Sequence, residues 1–153
     1  MNDDLRELYQ EVILDHSRRP RNRGELGPEA VHVHGDNPSC GDELDLWVRF
    51  ANDGRLEEIT FTGHGCAISQ ASASMMTVRL RGRSADEATS VATAVHTMLT
   101  APAATPLPDD LGDLRLLEGV RQFPQRVKCA ALGWRALEEA LHLHRTRRPT
   151  TEG

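Results

Sequence analysis

Three cysteines, Cys40, Cys66 and Cys129, and an aspartate two residues after the first, Asp42, are the residues of this sequence best suited to chemistry. In NPSCGDELDLW a turn leads into a strand, and extended residues two apart share a face, so the Cys40 thiol and the Asp42 carboxylate can reach one object. Cys66 stands in GHGCAIS, where Gly63 and Gly65 permit close backbone approach and the helix that follows turns its positive end toward the sulfur, a setting suited to a thiolate. Cys129, in QRVKCAALGW, has Arg126 and Lys128 beside it, and cations again suit a thiolate. Three soft sulfurs and one oxygen match a four-coordinate zinc site. Such a site carries net negative charge, so Arg126 and Lys128 are expected as compensating cations behind the ligands, the plainer reading being an exposed helix start.

Other donors compete. His64, two residues before Cys66, is the alternative ligand to Asp42, whereas His32 and His34 alternate with Val31 and Val33 and should face away from the packed side. His16, His96, His142 and His144 have no cysteine nearby in sequence. Cys-x-Asp with two distant cysteines is a weaker signal than the paired Cys-x-x-Cys of a zinc ribbon.

Each cysteine falls at a boundary between expected elements, where side chains from several elements can converge. Leu5, Leu8, Tyr9, Val12 and Ile13 recur at helical spacing behind Asp3 and Asp4, and Pro20 bars a long continuation. The basic stretch HSRRPRNRG, which contains Arg18 to Arg23, reads as a solvated loop or as a docking surface for an acidic partner. Val31 and Val33, then Leu44, Leu46, Val48 and Phe50, then Ile59 and Phe61 alternate as three strands, with a hairpin turn at Asn52, Asp53 and Gly54. A helix is predicted over Ala67–Leu80 with Ile68, Ala71, Met75 and Val78 on its packed side and a stop at Gly82. Ser84 and Glu87 form a capping box ahead of Ala88, Val91, Ala92, Val95 and Leu99. After a Pro-rich connector over residues 101–110, Leu114 and Leu117 suggest a short helix ending near Gly119. A last helix from about Pro124 carries Val127, Ala130, Ala131, Trp134, Leu137 and Leu141 inward. Trp47 and Trp134 read as packing or amphipathic surface residues, and Met75 with Met76 as helix packing. The tail HRTRRPTTEG is expected to be disordered, giving one domain over residues 1–145 and a tail over 146–153.

At 153 residues one domain can bury a core without disulfides, and three scattered cysteines cannot all pair within the chain, so reduced thiols are expected. Net charge is −5, with 18 basic and 23 acidic residues, which leaves no cationic field for nucleic acid. No apolar run approaches the roughly 20 residues of a membrane span, and MNDDLRELYQ lacks the parts of a signal peptide. A cytoplasmic protein is expected.

The motifs ILDHSRRPRNRG, NPSCGD, GHGCAISQASASMM and RVKCAALGW, in this order, closely resemble the U-type iron-sulfur assembly proteins, and within them the SufU branch. The similarity runs from the first helix to Leu141. It implies an α+β fold, a three-stranded antiparallel sheet with helices packed on one face. Scaffolds of the IscU type typically carry a histidine immediately before the last cysteine, a place held here by Lys128, and the extra segment Ala101 to Gly119 is typical of the SufU branch. SufU-like proteins bind zinc and accept sulfur from a SufS-type cysteine desulfurase, which holds it as a persulfide.

The resemblance therefore implies that Cys40, Asp42, Cys66 and Cys129 bind zinc and that Cys40 is the catalytic sulfur acceptor. It also implies a desulfurase as partner and a downstream iron-sulfur scaffold or apo-acceptor. Four protein ligands normally mark a closed structural site, so the acceptor must leave the metal; in the SufU family a histidine of the partner enzyme displaces it. The turn built from Asn37, Pro38 and Gly41 is the expected place for that swing. The alternative is an IscU-type scaffold that builds an iron-sulfur cluster on the same residues. A third reading is an interaction domain in which zinc only ties helix ends to the sheet.

Overall fold

The computed structural model of the chain describes residues 3–38, 41–102 and 109–147. Alternation with a period of two becomes an antiparallel sheet of β1 (Val31–Asn37), β2 (Asp42–Phe50) and β3 (Leu56–His64), in that order. The register pairs Val33 with Leu46 and Leu46 with Phe61, so Val31, Val33, Leu44, Leu46, Val48, Ile59 and Phe61 all point into the core. His32 and His34 lie on the opposite, solvent face. The turn at residues 52–54 forms as its sequence predicts: Gly54 takes φ 88° and donates its N–H to the Ala51 carbonyl at 2.9 Å.

Helices cover one face of this sheet. α1 is Asp3–Arg18, α2 Ala67–Leu80, α3 Ala85–Thr100 and α4 Pro124–Arg147, with a 3-10 helix over Asp109–Gln122 before α4. α2 and α4 pack on the strands and on each other, α1 lies against α2, and α3 and the 3-10 helix close over α4. Gly133 lets α4 approach α2 closely, because a Cβ there would come within 3.3 Å of the Ala73 side chain. The Ser84–Glu87 capping box is present, with Ser84 Oγ accepting the Glu87 N–H at 3.1 Å and Glu87 accepting the Ser84 N–H at 3.0 Å.

Four expectations change. α2 keeps its predicted bounds, and Ala71 and Met75 are buried as expected with Ile68 packed against the core, but Val78 is 54% exposed and the buried face extends over Ser69, Ser72, Ser74 and Thr77. Their hydroxyls are satisfied locally or by neighbours, Ser72 donating to the Ala130 carbonyl at 2.7 Å and accepting Trp134 Nε1–H at 3.1 Å, so burying them costs little. The basic stretch is pinned to α2 and β3, although Arg18, Arg19 and Arg23 stay exposed as a solvated loop would have them. Arg21 N–H donates to Ser74 Oγ, Asn22 reaches Thr77, and Arg23 donates to Gln70 and lies over the Phe61 ring. His16 shares the Ser74 hydroxyl at 2.8 Å, and its pKa lies below the ordinary value, chiefly through burial and then through the charge on Arg21.

The segment around Leu114 and Leu117 extends from Asp109 to Gln122 as a 3-10 helix, kinked at Gly112, instead of ending near Gly119. Leu111, Leu114, Leu117 and Val120 are all buried. A spacing of three places Leu114, Leu117 and Val120 on one side of a helix with three residues per turn, while Leu111 precedes the break at Gly112. Residues 103–108 of the predicted connector lie outside the described residues. Finally, α4 runs to Arg147, so His144 belongs to a helix and stacks on Phe50 at 3.7 Å between ring centroids, instead of opening a disordered tail.

Candidate metal centre

The end of the sheet where β1 passes into β2 and β3 into α2 gathers the donors. Asn37, the last residue of β1, pairs with Asp42, the first of β2, which places Asp42 at the end of the sheet's central strand. Asp42 is only 1% exposed. Its Oδ1 accepts the Cys66 N–H at 2.9 Å, which occupies one of the donors a helix start leaves free, since Cys66 is the N-cap of α2. Its Oδ2 lies 3.9 Å from Cys66 Sγ.

Gly65 makes this approach possible. Its φ of 156° is in the region that favours glycine, and a Cβ would come within 2.3 Å of Asp42 Oδ1 and 2.8 Å of Ser69 Oγ. Gly63, at φ 152°, is similarly required, because a Cβ there would strike the Glu43 carbonyl. Cys129 enters from α4, buried, with its sulfur 3.6 Å from the Gln125 carbonyl one turn back.

One ligand atom each from Asp42, Cys66 and Cys129 lie within 4.8 Å of one another. Neighbouring ligands on tetrahedral zinc stand about 3.5–3.8 Å apart at ordinary bond lengths, so a contraction of about an ångström would close the set on one ion. Two sulfurs and a carboxylate oxygen are a donor set that suits zinc, and the glycine cradle holds the oxygen in place without it. Cys40 lies outside the described residues.

His64 is not brought into this group. Its ring is 72% exposed and its Nε2 lies 3.3 Å from Glu43 Oε2. Arg126 and Lys128 are both exposed on the first turns of α4. Among the groups sequence reasoning missed is Ser69, whose hydroxyl donates to the Cys66 carbonyl at 3.0 Å and braces the turn. The missed signal is a hydroxyl residue three positions into the helix that Cys66 opens.

Beside the cluster runs an apolar groove of about 530 Å³, lined by Ile13 and Leu14 of α1, Ala67 and Ile68 of α2, and Val120, Phe123 and Arg126. Leu14 and Phe123 are among the few large apolar side chains left exposed, at 41% and 59%. No helix among the described residues is long and apolar enough to cross a membrane.

A three-stranded antiparallel sheet under helices is an arrangement this chain shares with known proteins. Residues 8–130 match the NifU-like N-terminal domain, and the chain belongs to that family, the U-type proteins of iron-sulfur cluster assembly. Among its relatives is the iron-sulfur cluster assembly scaffold protein IscU of Streptococcus pyogenes serotype M1, 46% identical over 138 residues that cover 90% of this chain and 84% of that one. The zinc-dependent sulfurtransferase SufU of Bacillus subtilis (strain 168) is 41% identical over 140 residues, covering 92% and 93%. A solved structure of a candidate iron-sulfur cluster assembly scaffold for the SUF system, from the thermophilic Fervidobacterium islandicum AW-1, matches with a TM-score of 0.80 and 32% identity over 88% of this chain and 97% of that one. The α+β architecture expected from the sequence is therefore that of the family. Relatives bearing both names stand at similar identity, so kinship does not by itself separate sulfur transfer from scaffolding.

Proposed function

We propose that this chain is a zinc-dependent sulfurtransferase that accepts persulfide sulfur from a SufS-type cysteine desulfurase for iron-sulfur cluster assembly. The observation that carries the reading is the convergence of Asp42, Cys66 and Cys129 at one end of the sheet. Two peptide units link Cys40 to Asp42, a span of at most about 7 Å, so the chain itself keeps a fourth donor near the group. Lys128, where IscU-type scaffolds carry histidine, favours transfer over assembly. When bound, zinc would hold its thiol ligands deprotonated near neutral pH.

The residues divide the work. Asp42, Cys66 and Cys129 would hold the ion, with Gly65 and the Cys66 N–H fixing the carboxylate. Arg126 and Lys128 would offset the negative charge from the exposed side. Cys40 is the acceptor: its thiolate attacks the outer sulfur of the desulfurase persulfide, a new S–S bond forms on Cys40, and the desulfurase cysteine leaves as thiolate. The exchange is redox-neutral and needs no further reagent. The groove bearing Leu14 and Phe123 gives the desulfurase an apolar surface beside the site. The product persulfide would pass to a downstream scaffold or apo-acceptor.

The test adds zinc-loaded protein to a SufS-type desulfurase and measures cysteine turnover together with the mass of the recovered protein. Stimulation and one added sulfur on Cys40 are expected, and Cys40→Ser should abolish both. Undiminished stimulation by Cys40→Ser removes the acceptor assignment. A second reading, cluster assembly on the same residues, draws support from the 46% identity to a protein named as a scaffold. Anaerobic reconstitution with iron and sulfide separates the two, because a stable visible chromophore that transfers to an apo-acceptor belongs to the scaffold alone.

A further inference from the structure

The solvent face of the sheet carries a cluster of two histidines and a carboxylate, unconnected with the cysteines. His32 and His34, two apart on β1, project on the same side, and Asp45 of β2 stands opposite His34 in the register. His32 Nε2 lies 2.8 Å and His34 Nδ1 3.1 Å from the same atom, Asp45 Oδ1. Both imidazoles thus meet one carboxylate oxygen. The His32 ring is held in place by stacking on Trp47, with centroids 4.6 Å apart and planes 5° from parallel. The far nitrogen of His34 faces Glu43 Oε1 at 3.8 Å. All of these groups are open to solvent, with His32 and His34 about half exposed, so an ion can enter without unfolding anything.

We propose that His32, His34 and Asp45 form a surface chelate for a divalent first-row transition ion. Imidazole nitrogen and carboxylate oxygen select ions such as Ni²⁺, Cu²⁺ or Zn²⁺ over Mg²⁺ and Ca²⁺, which prefer oxygen alone. Each neutral imidazole carries one N–H, and moving that proton to the far nitrogen frees the lone pair aimed at Asp45. At these N···O distances the ion sits beside the two hydrogen-bond lines, and a turn of both rings brings their lone pairs onto it. Rigid strand pairing and the Trp47 stack supply the preorganisation a short chelate needs.

Trp47 also supplies the signal. Zinc-loaded protein is titrated with Ni²⁺, whose unfilled d shell quenches indole fluorescence at short range, and binding is followed in parallel by calorimetry. Saturable quenching with about one ion per chain is expected. His32→Gln and His34→Gln should each weaken it at least as much as the roughly 10–100-fold that loss of an outer partner costs a metal site. Trp47→Phe should abolish the quenching while calorimetry still records uptake. Circular dichroism confirms that the variants fold. Ni²⁺ binding unchanged in both histidine variants, or quenching that fails to saturate below millimolar ion, overturns the proposal. Neither result bears on sulfur transfer at the cysteines.

Discussion

Asp42, Cys66 and Cys129 meet where a strand and two helices begin, whereas His32, His34 and Asp45 stand within two strands that plain alternation displays to solvent. The first group is held by features that also build the fold: two positive-φ glycines, a carboxylate buried to 1% exposure, and a helix N-terminus whose amide that carboxylate occupies. The second group borrows its geometry from the pleat and from one aromatic stack. A site assembled from element ends is therefore part of the fold's stability, while a site laid on a regular surface can be removed without the fold noticing.

Substitutions can break or sharpen that contrast. The largest effect is expected at Gly65→Ala, where the new methyl collides with Asp42 and the backbone must leave a glycine conformation; metal-free protein should lose about 3 kcal/mol in denaturant unfolding. Asp42→Ala leaves the Cys66 amide without its acceptor and should cost about 2 kcal/mol in the same measurement, before any metal is considered. If metal-free Asp42→Ala is as stable as the parent, the carboxylate serves the ion alone. At the other end of the range, His32→Gln combined with His34→Gln should change stability by no more than about 0.5 kcal/mol. A larger loss would mean that the outer face also holds the strands together.

The sheet was legible because its signal is binary: a residue such as Leu46 or Val48 is in the core and its neighbours are not, and no other pattern of period two competes. The gathering of Asp42, Cys66 and Cys129 was legible for a related reason, since each sits at a boundary that the periodicities locate. α2 misled in part because its buried surface includes, beside Ala71 and Met75, Ser72, Ser74 and Thr77, which hydropathy assigns to water and whose hydroxyls find Ala130, His16, Arg21 and the helix's own carbonyls. Nothing in the basic stretch announces that Arg23 will spend its charge on Gln70 and the Phe61 ring, since those partners are distant in sequence. The His32–His34–Asp45 group was half visible: alternation placed both histidines outside, but the partner strand's register was needed to bring Asp45 to them.

The 3-10 helix has a consequence of its own. Past Gly112 its buried row of Leu114, Leu117 and Val120 advances by one full turn at each step, so dropping or adding a single amino acid there would swing every later side chain by about 120°. Evolution can thus rewrite the letters of this segment between the leucines freely, but can change its length only in threes.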